Sequence, residues 1–113
     1  MEKQWNIVCG ADIHKKFLIA TILSRDGTKI TKRFGMSLDD LLNFKNWLVE
    51  NGCEQVAVES TGTYWVPIHS VLEGSIGLIV GNAYKIKHTP GNKNDLADAE
   101  WIAELCLNGM IEP

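Results

Sequence analysis

The apolar positions of the chain fall into runs of two periods. Ile7-Val8-Cys9-Gly10-Ala11-Asp12 is a nearly continuous apolar stretch that predicts a buried strand. After the polar break His14-Lys15-Lys16, the run from Phe17 to Leu23 predicts its hairpin partner. Arg25-Asp26-Gly27-Thr28 then reads as a turn with Asp-Gly at its centre. Lys29 to Phe34 alternates charged and less polar residues as an edge strand does, so the opening unit is expected to be a three-stranded antiparallel meander.

The period then lengthens. Leu38, Leu41, Leu42, Phe44, Trp47 and Leu48 recur at helical spacing, with Ser37 as cap, Asp39 and Asp40 in the first turn and Asn51-Gly52 at the stop. Gln55 to Glu59 is a short buried strand, and a helix-plus-strand return of this length favours parallel pairing with the first strand. Ser60-Thr61-Gly62-Thr63 leads into a helix holding Trp65, Ile68, His69 and Leu72, and Gly77 to Val80 is the last strand. Asn82 to His88 reads as a short basic helix or loop, Thr89 to Asn92 as a break, and Asp95 to Leu107 as the closing helix. The expected class is α/β, a mixed sheet of antiparallel and then parallel strands flanked by helices.

At 113 residues this is the length of one domain, and no apolar run is long enough to span a bilayer. The start, Met1-Glu2-Lys3-Gln4-Trp5, has neither an apolar signal core nor an Arg-rich leader, so the cytoplasm is the expected compartment. Cys9, Cys53 and Cys106 stand far apart in apolar contexts and read as reduced, packed thiols. The net charge of −3 is unusual for a nucleic-acid binder. Two bound divalent ions would reverse its sign, so charge alone does not exclude DNA. Basic residues cluster at Lys29, Lys32 and Arg33, and again at Lys85, Lys87, His88 and Lys93 within an acid-free stretch.

Four carboxylates change the picture. Asp12 and Glu59 each close an apolar run, where desolvation penalises a charge that lacks a cation or donor. If their strands lie side by side and parallel, both emerge at the carboxyl edge of the sheet, where ligands of open α/β sheets bind. Asp95 and Asp98, three apart, share the helix face that continues as Ile102 and Leu105, so they point toward the sheet. Phosphoryl transfer needs charge neutralised on both attacking and leaving oxygens, and two Mg²⁺ ions bridged and flanked by carboxylates do this. The simpler readings are a helix N-cap for Asp95, a first-turn acid for Asp98 and a turn residue for Asp12. Glu59 has no comparably simple role.

Three phrases carry a family resemblance: Gly10-Ala11-Asp12-Ile13-His14-Lys15-Lys16, Val58-Glu59-Ser60-Thr61-Gly62-Thr63-Tyr64-Trp65, and Lys93-Asn94-Asp95-Leu96-Ala97-Asp98-Ala99-Glu100-Trp101-Ile102-Ala103. In this order they resemble the amino-terminal DEDD domain of the IS one-ten family of insertion-sequence transposases. Asn94 stands where the family usually has Thr or Ser, and Ala11 where it has a larger aliphatic; both leave the acids intact. The resemblance implies a ribonuclease H-like (RuvC-like) fold and Mg²⁺, with Mn²⁺ as a substitute, held by Asp12, Glu59, Asp95 and Asp98. It implies a bacterial or archaeal DNA recombinase that works on element ends and target DNA, is guided by an RNA, and is homo-oligomeric at full length. The family also carries a carboxy-terminal domain with a serine nucleophile, so a chain stopping at Pro113 reads as a fragment, catalytically incomplete alone.

Around the acids, Lys15, Lys16, Thr61, Tyr64, Lys85, Lys87 and Lys93 are the candidate nucleic-acid contacts. The lysines also suit a solvated loop, and Trp65 beside Tyr64 suits the core with Ile68 and Leu72. His14, two residues past Asp12, lies near the site in sequence, while His14, His69 and His88 are too scattered for a metal triad. Two rival functions share this strand plan. An actin- or sugar-kinase-like nucleotide-binding domain would want glycine in the first hairpin, and Ile13-His14-Lys15-Lys16 has none. A non-catalytic nucleic-acid-binding module would have no use for four acids.

Overall fold

A computed structural model describes residues 5–59, 63–81 and 98–111. The first apolar run forms β1 (Ile7–Ile13) and the second forms β2 (Phe17–Ser24), paired antiparallel so that Asp12 lies opposite Ile19. β3 (Lys29–Gly35) continues the meander antiparallel to β2, exposed along all but its last two residues. Helix α1 (Leu38–Glu50) returns the chain to β4 (Gln55–Glu59), which pairs parallel with β1, and α2 (Val66–Leu72) leads to β5 (Gly77–Gly81), parallel with β4. Helix α3 spans Asp98–Leu107. The sheet order is β3-β2-β1-β4-β5, which is the ribonuclease H-like plan expected from the sequence. Of the closing helix, the part from Asp95 to Ala97 lies outside the described residues, as does the basic segment Asn82 to His88.

Strand alternation divides the core into two layers. Cys9, Ala11, Val56 and Val58 face α1 and α2, packing with Phe44, Leu48, Ile68 and Leu72. Val8, Leu23 and Ala57 face the other way, onto Ile102, Ala103, Leu105 and Cys106 of α3. Gly10 is on this second face, and a Cβ there would collide with the backbone of Ala99 and Ala103. Glycine is therefore required for α3 to lie directly on β1.

Local chemistry sets the ends of these elements. Ser37 and Asp40 form a capping box: Ser37 Oγ accepts from the Asp40 N–H (3.1 Å), and Asp40 Oδ2 accepts from the Ser37 N–H (3.4 Å). In the β2–β3 turn only Gly27 takes a positive φ, +97°, while Asp26 stays right-handed and accepts from the Thr28 N–H (2.8 Å). That hydrogen bond holds the Asp26 carboxyl below its ordinary range. The result is a three-residue loop with a glycine bulge, which carries the expected Asp-Gly pair.

All three cysteines are buried and free, as expected. Burial pushes the Cys53 thiol up to about 12 and the Cys106 thiol to about 11, and holds Cys9 well above its usual value. None is a thiolate at neutral pH, which removes them as nucleophiles.

Candidate functional site

Asp12 is the penultimate residue of β1, 8% exposed, on the face that α3 covers. The parallel register runs from Val8 opposite Gln55 to Ala11 opposite Val58. One further step puts Asp12 beside Glu59, the half-buried last residue of β4, on the same face as Ala57. Adjacent strands thus deliver two carboxylates to one edge, because both apolar runs end at the same height.

The direction of α3 brings a third. Arg25, just past β2, donates to the carbonyls of Trp5 (2.7 Å) and Leu107 (3.1 Å), which fixes the carboxyl end of α3 near the start of β1. Ala99 and Ala103 flank Gly10 at mid-strand. The amino end of α3, where half-buried Asp98 stands, is therefore directed toward the edge occupied by Asp12 and Glu59. Ile102 and Leu105, which continue the Asp98 stripe, are buried as the helix pattern anticipates. Asp95 lies outside the described residues. Among the described residues, no three His, Cys, Asp or Glu side chains close into a metal-holding group. The donors are nonetheless carboxylate oxygens on a common edge, the hard ligands that Mg²⁺ takes.

Asp12 is held from the side. His14 Nε2 lies 2.9 Å from Asp12 Oδ2 and donates when that nitrogen carries the proton. The His14 ring stacks on Phe17, centroids 4.4 Å apart, and the Arg33 guanidinium sits 4.1 Å over the other partner in the stack, the Phe17 ring. His14 thus belongs to the site, where its sequence neighbourhood only hinted at it. Phe17 reads in sequence only as a strand residue and Arg33 only as part of a basic cluster, since their approach needs the β2–β3 register.

The remaining candidates divide. Lys15 and Lys16 are exposed in the β1–β2 connection, beside the acid edge, and Tyr64 is 42% exposed ahead of α2. Trp65 packs against the core under α1 and α2, in line with its structural reading. Thr61, Lys85, Lys87 and Lys93 lie outside the described residues.

Among the described residues no helix is long and apolar enough to cross a membrane. No curated protein matches the chain. The model of the IS110 DEDD transposase family matches residues 9–113, a span that takes in both strand acids, the hairpin lysines and α3. With the sheet order, the acid-bearing strand ends and this match in agreement, the chain belongs to the IS110 DEDD transposase family.

Proposed function

We propose that this chain is the acid-bearing catalytic domain with which an insertion-sequence transposase cuts and exchanges DNA strands. The observation that carries the reading is the delivery of Asp12 and Glu59, far apart in sequence, to neighbouring positions at one sheet edge toward which the amino end of α3 is directed. Asp12, Glu59, Asp95 and Asp98 would hold Mg²⁺, or Mn²⁺ in its place. When bound, the ion would neutralise charge on the attacking and leaving oxygens of a phosphodiester. The chain's own residues do the rest: His14 orients the Asp12 carboxylate, and Lys15 and Lys16 contribute positive potential where a DNA backbone approaches. A guide RNA, a serine-bearing partner domain and self-assembly are extensions of this proposal from the family. The two rival functions lack a supporting feature of this kind.

Thermal unfolding of the wild type and Asp12→Asn, each with and without Mn²⁺, tests the proposal. Asn still accepts from His14, so the substitution isolates the charge. A carboxylate in a repulsive cluster is relieved by neutralisation, so Asp12→Asn is expected to raise the metal-free Tm. Mn²⁺ at about a hundred times its Kd should stabilise only the wild type, by about 2.7 kcal/mol. A destabilised Asp12→Asn, with Mn²⁺ acting equally on both proteins, would make Asp12 a structural residue and defeat the proposal.

A further inference from the structure

The basic residues of β3 have different surroundings at its two ends. Lys29, at the start, is paired with Glu100 of α3 (3.3 Å). Arg33, toward the other end, is exposed and makes no ion pair among the described residues; its guanidinium lies 4.1 Å over the Phe17 ring. Phe17 stacks on His14, and His14 contacts Asp12. Guanidinium, phenyl, imidazole and carboxylate therefore form a continuous ladder from the sheet edge to the candidate site. Strand register says the same: Asp12 pairs with Ile19 and Ile19 with Arg33, on one face. Two inter-strand steps of about 4.8 Å put the Arg33 backbone roughly 10 Å from that of Asp12.

A guanidinium laid on an aromatic ring keeps its N–H edge free and its plane fixed, which suits bidentate capture of a phosphate. We infer that Arg33, seated over the Phe17 ring, binds the phosphodiester backbone of the nucleic-acid strand that lies across the acid edge. At that separation Arg33 reaches a nearby phosphate on the same strand as the one at Asp12. Lys15 and Lys16, in the adjoining hairpin connection, extend the same cationic track. This inference rests on the transposase reading for its ligand, but its contact needs no metal.

The test is fluorescence anisotropy of labelled single-stranded oligonucleotides, DNA in one arm and RNA of the same sequence in the other, in EDTA. The wild type is compared with Arg33→Ala, Arg33→Lys, Phe17→Leu, and the charge-matched control Lys45→Ala on α1, beneath the opposite face of the sheet. Loss of a charge-assisted phosphate contact should weaken binding about tenfold or more in Arg33→Ala, and flatten the salt slope by about 0.7. Arg33→Lys should keep the slope but lose part of the affinity. Phe17→Leu should lose about threefold with the slope unchanged, the effect of losing an exposed cation–π contact. The arm that shows this pattern names the strand as DNA, RNA or both. Equal losses in Arg33→Ala and Lys45→Ala, or no binding by the wild type in either arm, would overturn the inference. A failure of the Mn²⁺ experiment with the Arg33 pattern intact would instead remove the metal reading and leave the strand contact standing.

Discussion

At the scale of single residues, the site depends on what is absent as much as on what is charged. Gly10 lets the backbone of α3 touch β1, and its missing Cβ fixes the height of Asp98 relative to Asp12. Gly10→Ala forces helix and strand apart, and overpacking of this kind costs about 1–3 kcal/mol. In a domain of this size that should lower Tm by roughly 5–15 °C in a melting experiment. The same variant should blunt the Mn²⁺ stabilisation, because the acids it displaces are the proposed ligands; an unchanged Mn²⁺ effect would show that helix height does not matter to them. Asp12 and Glu59 were legible in the sequence because an acid ending an apolar run contradicts the run. His14 was legible only as a neighbour of Asp12, Arg33 only as part of a basic cluster and Phe17 only as a strand residue, because hairpin register is what stacks them. Tyr64 and Trp65, adjacent in sequence, part company only in three dimensions, one exposed and one packed.

At the scale of elements, hydrophobic period predicted the type and order of every described strand and helix, and their ends shifted by a residue or so. β1, β2 and β3 each run one residue further than predicted, to Ile13, Ser24 and Gly35, because strand pairing continues through those residues. The β2–β3 turn falls where Asp26-Gly27 predicts it, and the Asp-Gly pair leaves its detail open: the Asp26 side chain bonds to the Thr28 N–H, and Gly27 alone takes a positive φ. Helix α1 shows the reverse, a cap fully announced by Ser37 and two following acids. Ser37→Ala removes the side-chain acceptor and one end of the box, and should cost about 1 kcal/mol in chemical denaturation with no change in m-value. A larger loss with an altered m-value would mean that the cap also organises β3.

At the scale of the whole molecule, the sheet is covered on its two faces by elements of very different sequence separation. α1 and α2 close one face from within the strand sequence, whereas α3 closes the other from the far end of the chain. Removing residues 98–113 should therefore bare Val8, Leu23 and Ala57 together. The truncated chain is expected to bind a hydrophobic dye and to self-associate in sedimentation more strongly than the full chain. A monomeric, dye-free truncation would show that the sheet does not need α3 as its cover. The arrangement also has a meaning in time. Asp98 reaches the edge on a helix made after the five described strands, so Asp12 and Glu59 are laid down before the third acid follows. Under the proposed reading, an acid set built this way is assembled only when α3 settles against Gly10.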